Sequence, residues 1–305
     1  MKIYILDAFH PAGVEYAAKH AEVVRWDDPQ VKNWAEHADG VMVRMTPIRA
    51  ADLARARKVK VICKQGVGFD TIDLAAAKAH GIPVLRTPGV NSEAVAEMAL
   101  ALGLAASRRT AELDRMLRAG AKIERPDILG IEMWRKTVGI IGLGAIGTRV
   151  ARKWQAAFEA KIVFYDPYVS VGEHRKVSKL EDLLREADLV SIHVPLTDET
   201  RRMIGAPQLA LMKKTAVLVN TSRGGTIDEA ALHEALAGAR LFAAGLDVWE
   251  VEPPPQDHPL LQLPNVVATP HASGGTFETQ ERSSLQVAIQ VVDVLNGKAP
   301  QNRLN

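Results

Sequence analysis

Short apolar runs separated by longer amphipathic stretches set the rhythm of this chain. In residues 1–90 the apolar runs are 2–6, 22–26, 40–43, 59–63 and 83–85, with helical stretches such as 11–19 and 71–79 between them. The rhythm returns in residues 137–270, with runs at 138–141, 161–165, 189–194, 216–219, 241–246 and 266–268 and helical stretches at 148–158 and 226–237. Strands that alternate with helices predict parallel sheets, here in two separate blocks. Between the blocks, Asn91 and Ser92 can cap a helix with Glu93 in its first turn. It runs through alanine and leucine to Ser107 and continues, more charged, to Leu117. We expect one long helix connecting two domains, followed by an irregular arm over 120–132 that packs on another subunit or back on its own. Residues 277–295 place Leu285, Ala288, Val292 and Leu295 on one face, with Gly297 just past the end, which predicts an amphipathic C-terminal helix crossing back to the first domain. The fold class is α/β, with two doubly wound parallel-sheet domains. The expected domains are 1–95 with 283–305 for substrate, and 96–282 for a cofactor.

The cofactor expectation comes from one stretch. The strand 138–141 leads into Gly142, Gly144 and Gly147, spaced G-x-G-x-x-G, then a helix, then a second strand ending in Asp166, 19 residues after Gly147. Gly142 permits the tight turn, Gly144 lets backbone approach a pyrophosphate, and Gly147 lets helix and strand pack closely. The helix N-terminus, at Ala145 and Ile146, offers free N–H groups and a positive dipole end. A carboxylate at the next strand tip accepts both ribose hydroxyls and repels a 2′-phosphate, so NAD is expected rather than NADP.

Composition narrows this picture. A length of 305 residues suits two domains, and 47% apolar residues suffice for two cores. The 38 basic and 36 acidic residues leave a net charge of +2 with no basic block, which gives no electrostatic case for nucleic acid or a membrane surface. The single cysteine, Cys63, rules out an internal disulfide and a cysteine-built metal site; it fits a reducing cytoplasm, and no metal is expected. The N-terminus reads as a strand rather than a signal peptide, and the longest bland run, 94–106, is too short to span a membrane and contains Glu97.

Four strands of the second block end in short turns, most of them polar: Val194-Pro195, Thr221-Ser222-Arg223, Asp247 and Pro270-His271. Ligands of open parallel sheets sit at that edge. Hydride reduction of a 2-keto acid needs a cation for the carboxylate and ketone, an acid for the forming alkoxide, and a group that keeps the acid charged. Arginine supplies a planar fork that never loses its charge. Histidine titrates near neutrality, and a neighbouring carboxylate favours imidazolium. Arg223 suits the first role. For the acid both His271 and His193 stand at strand ends, and for its partner both Glu252 and Glu250 are available.

The chain resembles the D-isomer-specific 2-hydroxyacid dehydrogenase family over nearly its whole length. The resemblance is carried by Gly66-Val67-Gly68-Phe69-Asp70-Thr71-Ile72-Asp73-Leu74, Asn91-Ser92-Glu93-Ala94-Val95-Ala96-Glu97 and Lys136-Thr137-Val138-Gly139-Ile140-Ile141-Gly142. It continues in Asn220-Thr221-Ser222-Arg223-Gly224-Gly225, Gly245-Leu246-Asp247-Val248, Glu252-Pro253 and Thr269-Pro270-His271. It implies a Rossmann cofactor domain and a flavodoxin-like substrate domain with a cleft between them, hinge closure on the substrate, and a homodimer built through the cofactor domain. The family's catalytic Arg-Glu-His set falls on Arg223, Glu252 and His271, which selects between the rivals. Its substrate-carboxylate loop falls on Val67 and Gly68, and its aspartate near the nicotinamide on Asp247. Cofactor contacts are expected at Gly142, Gly144, Ala145, Ile146, Gly147, Asp166, Val194, Pro195, Thr221, Ser222, Arg223, Asp247, His271 and Gly274. Arg135 stands where the family usually has glycine before Lys-Thr, a departure that puts the turn geometry there in question.

Two further cations, Arg44 and Lys64, sit at strand ends of the first block. They read either as surface cations or as the anchor for a second anionic end of the substrate, beside Val67, Gly68, Arg223 and His271. The second alternative points to hydroxypyruvate or glyoxylate, or to 3-phosphoglycerate. The resemblance implies no regulatory extension and no serine feedback for a chain of this length. Formate dehydrogenases are similar to the family but carry glutamine where Glu252 stands. The alternative from outside enzymology is an NAD(H)-sensing corepressor-like protein, a role that the same fold serves.

Overall fold

The computed structural model describes residues 1–66, 68, 71–170 and 173–305, except for the side chains of Pro126 and Asp127. The chain divides into two compact units, 1–91 with 275–305, and 92–274. Both divisions fall at helix starts. Ser92 opens the helix Ser92–Ser107. Gly275 directly precedes Thr276, whose side chain caps the helix Phe277–Leu295 by accepting the Thr279 N–H.

The first unit holds a sheet of β1 (Lys2–Ile5), β2 (Glu22–Val24), β3 (Gly40–Val43), β4 (Val61–Lys64) and β5 (Val84–Arg86) in the order β2-β1-β3-β4-β5. All pairings are parallel, and the order is that of flavodoxin-like folds. β3 and β4 are buried at every position, as strands covered on both faces must be. One cover is the helix Phe277–Leu295, which packs on the helix Pro11–His20 and on β3 and β4. Cys63 lies fully buried in β4, and burial pushes its thiol pKa up.

The second unit holds β6 (Thr137–Ile141), β7 (Lys161–Tyr165), β8 (Arg175–Lys176), β9 (Leu189–Ile192), β10 (Val217–Asn220), β11 (Ala243–Leu246) and β12 (Val266–Ala268), in the order β12-β11-β10-β9-β6-β7-β8. Every pairing is again parallel. β6 lies between β7 and β9, so the strand order reverses there, and the carboxyl ends beside it form the switch point where dinucleotides bind. Alternate residues feed two cores. Val138, Ile140, Phe164, Val217 and Val219 pack with Trp154, while Ile141, Val163, Val190, Ile192 and Leu218 pack with Leu183, Leu209 and Leu232. β8 was not among the expected strands, because two exposed cationic residues carry no apolar signal.

The expected continuous helix from Asn91 to Leu117 is two helices. Ser92–Ser107 stops because the Ser107 carbonyl accepts the Ile131 N–H at 2.7 Å, which diverts an acceptor that helix continuation would need. Arg109 then takes a left-handed conformation, φ 54°, and its fork grips Glu112 with two 2.7 Å hydrogen bonds. The helix Thr110–Arg118 buries none of its residues. Arg135 does adopt the conformation glycine favours, φ 56°, which costs a residue with a Cβ about 1–2 kcal/mol. Its guanidinium stacks 4.4 Å from the Trp134 ring and its Nε donates to Glu159 at 2.9 Å. Among the described residues no helix is long and apolar enough to cross a membrane.

Candidate active site

The glycine turn follows β6. Gly142 has φ 89°, and a Cβ on Gly147 would lie 2.0 Å from the Gly142 carbonyl oxygen, so this helix can start only where that residue has no side chain. The helix Ala145–Phe158 has Gly144 at its N-cap and no side chain on its first N–H groups. Those donors and the positive helix end suit phosphate oxygens.

Asp166, 9% exposed, does more than end β7. One carboxylate oxygen accepts the Leu143 N–H at 2.9 Å, and the other accepts those of Tyr168 at 2.8 Å and Val169 at 3.1 Å. It therefore ties the glycine turn to the end of the neighbouring strand. Asp166→Ala is expected to weaken NADH binding about tenfold, since charge-assisted hydrogen bonds are lost, and also to erode discrimination against NADPH. Fluorescence titrations with both nucleotides check this, and an unchanged affinity ratio would remove Asp166 from cofactor selection.

Two buried polar atoms at neighbouring strand tips have no hydrogen-bond partner among the described residues, Nδ1 of His193 beyond β9 and Oγ1 of Thr221 beyond β10. Buried polar groups are seldom left unsatisfied, so together with the uncapped helix end they fit a dinucleotide lying across the strand tips. Val194 packs under Gly142. His193 makes a poor acid: burial pushes its pKa down to about 3, and its Nε2 sits 2.8 Å from the Ser191 hydroxyl.

Asn220, Leu246 and Ala268 lie side by side at the ends of β10, β11 and β12, so the turns beyond them are neighbours. Asn220 Nδ2 donates to the Arg223 carbonyl at 2.9 Å and its Oδ1 accepts from the Ser222 N–H and hydroxyl, while the Thr226 hydroxyl also donates to the Arg223 carbonyl. A Cβ on Gly224 would lie 1.9 Å from the Trp249 carbonyl carbon; its absence lets the Arg223 turn rest on the backbone beyond β11.

Asp247 is fully buried. One oxygen accepts from the Thr269 hydroxyl at 2.6 Å and the Ala272 N–H at 2.8 Å, and the other from the Ser273 N–H at 3.0 Å and the Ser273 hydroxyl. Four donors occupy the four lone-pair directions of a carboxylate. The Asp247 carbonyl also accepts the His271 N–H at 2.7 Å. Asp247 is thus the anchor of the turn 269–273, in which His271 is left-handed at φ 53° and Gly274 follows the last anchored residue.

His271 Nδ1 meets Glu252 Oε2 at 2.7 Å, and Glu252 Oε1 accepts the Trp249 N–H at 3.1 Å. The hydrogen bond to Glu252 raises the His271 pKa; partial burial opposes it, the charges of Glu252 and Asp247 add to it, and Arg223 opposes it. For Glu252, burial acts upward but is outweighed by the bonds from His271 and Trp249 and the charges of His271 and Arg223, which hold the carboxyl below its usual range. Arg223 is therefore close enough to act on both. Glu250 takes another direction and pairs with Arg202 at 3.3 Å. With Nδ1 on Glu252, the half-exposed ring keeps Nε2 for a substrate proton.

In the first unit, Lys64 is only 7% exposed and its Nζ donates to the Arg44 carbonyl. Asp7 accepts the N–H groups of Arg44, Met45 and Thr46. The ammonium and the carboxylate thus brace the turn beyond β3. The Gly66 N–H donates to the Thr87 hydroxyl at 2.8 Å and Gly68 is half-buried; Val67 lies outside the described residues. Sequence reasoning missed the bracing of these turns by Asp7, Asn220 and Thr226. Asn220, just ahead of Thr221-Ser222-Arg223, was the visible signal.

The sequence model described as D-isomer specific 2-hydroxyacid dehydrogenase, NAD binding domain, matches residues 100–273. The chain is 40% identical to the glyoxylate reductase of Aeropyrum pernix, over 100% of this chain and 96% of that one. It is also 40% identical to the D-3-phosphoglycerate dehydrogenase of Methanocaldococcus jannaschii, over 100% of this chain but only 59% of that longer protein. The D-isomer specific 2-hydroxyacid dehydrogenase of Lactobacillus delbrueckii ssp. bulgaricus, solved in its NAD complexed form, superposes with a TM-score of 0.84 at 28% identity, covering 100% of both chains.

Proposed function

The chain belongs to the D-isomer specific 2-hydroxyacid dehydrogenase family, and from that premise we propose that it interconverts a small D-2-hydroxy acid and its 2-keto acid, with Arg223, Glu252 and His271 as its catalytic residues. NAD, when bound, supplies the hydride acceptor or, as NADH, the donor. The Arg223 guanidinium holds the substrate carboxylate and polarises the ketone. In reduction His271 gives its Nε2 proton to the forming alkoxide, and in oxidation the neutral ring takes it back. Glu252 keeps the ring charged and oriented, and Asp247 holds the turn from which it projects. The cofactor contacts are the glycine turn with Ala145 and Ile146, Asp166, and the strand-tip residues Val194, Pro195, Thr221, Ser222, Arg223, Asp247, His271 and Gly274. The observation that carries this reading is the 2.7 Å pair of His271 and Glu252 with the Arg223 charge acting on both. NADH consumption with glyoxylate, hydroxypyruvate, pyruvate, phenylpyruvate and 3-phosphohydroxypyruvate tests it; no turnover with any of them, despite NADH binding, would overturn it.

The substrate we assign carries a second polar or anionic end, as hydroxypyruvate and 3-phosphoglycerate do, a choice that suits the relative named as a D-3-phosphoglycerate dehydrogenase. Arg44 provides the second anchor, with buried Lys64 bracing its carbonyl. Arg44→Met is expected to raise KM about tenfold more for 3-phosphohydroxypyruvate than for pyruvate, the worth of one charge-assisted contact. Equal effects on both substrates would return Arg44 to the surface. We also assign the chain to the cytoplasm and to a homodimer joined through the second unit. There Leu117, Leu129 and Trp134 are exposed, and an apolar groove runs along Leu100, Ala101, Leu104, Ala156 and Ala157. Sedimentation velocity is expected to give twice the chain mass, and Leu104→Glu with Ala157→Glu to give the single mass.

A further inference from the structure

The loop 249–252, which carries Glu252, is held from outside. Glu229, the first residue of the helix Glu229–Ala237, accepts the Glu250 N–H on Oε1 at 2.7 Å. Its Oε2 faces His258 Nε2 at 3.1 Å. His258 Nδ1 accepts the Leu260 N–H at 3.3 Å, so the ring proton lies on Nε2 and is donated to Glu229. Both side chains are shielded, at 17% and 13% exposure, so water competes little for this bond. The His258 ring stands edge-on to the Trp249 indole, with centroids 5.5 Å apart at 72°. That indole donates to the Thr269 carbonyl at 3.1 Å, two residues before His271, and the Trp249 N–H donates to Glu252 at 3.1 Å. Through Trp249, Glu229 and His258 therefore reach the loop of Glu252 and the turn of His271 without bonding to the Glu252 carboxylate or the His271 ring themselves.

We propose that Glu229 and His258 are positioning residues of the proton-transfer pair, fixing the loop 249–252 so that Glu252 keeps its bond to His271. This rests on the assignment of His271 as the acid. The charged groups that act on His271 are Glu252, Asp247 and Arg223, and those that act on Glu252 are His271 and Arg223. Asp247 and Arg223 are each anchored on their own turns by bonds that Glu229 does not share. A change in His271 titration on altering Glu229 therefore reports Glu252. Arg202 balances the Glu250 carboxylate, so Glu229 acts on that residue through its backbone N–H alone.

The test compares the wild type with Glu229→Ala and His258→Phe, the latter keeping an aromatic ring against Trp249 while removing the bond to Glu229. His271 is titrated by NMR, its signal assigned by its loss in His271→Asn, and kcat for keto-acid reduction is followed against pH. In Glu229→Ala the His271 midpoint, and the pH above which reduction fails, should both move down by about half a unit or more. The kcat should fall about tenfold through misplacement of the pair, with the Kd for NADH unchanged. His258→Phe should shift the midpoint in the same direction by less, and decides the matter alone if the alanine variant does not fold. A lowered Tm with the His271 midpoint left in place in both variants would overturn the proposal. The NMR midpoint is read without turnover, so failure of this proposal is separate from failure of the assignment of His271 as the acid, which would show as turnover retained in His271→Asn.

Discussion

Replacing His271 with asparagine is expected to cut kcat for keto-acid reduction about 10²–10⁴-fold, the usual worth of a positioned general acid, while NADH binding changes far less. Asparagine is the informative substitution because His271 sits at φ 53°, in a region that asparagine tolerates better than most residues. The turn anchored on Asp247 should therefore survive and only the proton be lost. Steady-state kinetics with a nucleotide titration checks this, and a variant that kept most of its rate would require a different acid. The pH dependence carries a definite sign. Reduction needs the charged ring, and the Glu252 bond raises the ring's pKa above the usual histidine value. Reduction should therefore persist above that value and fade as pH rises through the raised midpoint, while oxidation strengthens over the same interval. Whatever stability the pair adds is present below the unfolded-state pKa and is lost in that same upper window.

Gly224→Ala is expected to lower kcat/KM about a hundredfold, because it moves two catalytic groups at once. A Cβ there would be 1.9 Å from the Trp249 carbonyl carbon and 2.4 Å from the Glu250 nitrogen, all backbone that cannot rotate away. Either the Arg223 turn lifts or the loop carrying Glu252 retreats. Overpacking of this kind also costs about 1–3 kcal/mol of stability, which thermal unfolding would show. Gly225→Ala is the built-in comparison: its Cβ would meet side-chain atoms alone, Leu196 carbons at 3.3 and 3.4 Å and Arg201 Nη1 at 4.0 Å. Similar losses in both variants would mean that the close approach at Gly224 is not what aligns the pair.

Much of this arrangement was legible in the residues. The apolar runs marked eleven of the strands to within a few residues, and the helix Phe277–Leu295 has the bounds its periodicity and Gly297 indicated. Local pattern sufficed because parallel strands covered on both faces are apolar throughout. Pattern failed where the deciding partner lies elsewhere in sequence. The helix break after Ser107 depends on an N–H from Ile131, and no window around residue 107 contains that information. Lys64 read as an open cation at a strand end, yet its ammonium is turned onto the Arg44 carbonyl, 20 residues away. At the site, the pairing of Glu252 with His271 followed from the family resemblance, which selected them over Glu250 and His193. That Asp247 spends every acceptor on the His271 turn did not, because Thr269 and Ser273 become its partners only once β11 and β12 lie side by side.

The lone cysteine has a practical consequence. Cys63 is sealed inside β4 of the first unit, and the second unit contains no thiol at all. A thiol reagent can reach it only when that strand is uncovered, so its labelling rate counts the openings of one unit and is silent about the other. The native chain thus carries its own clock for the separate breathing of its first half, and a substrate or nucleotide that steadies that half would slow the clock without any engineered probe.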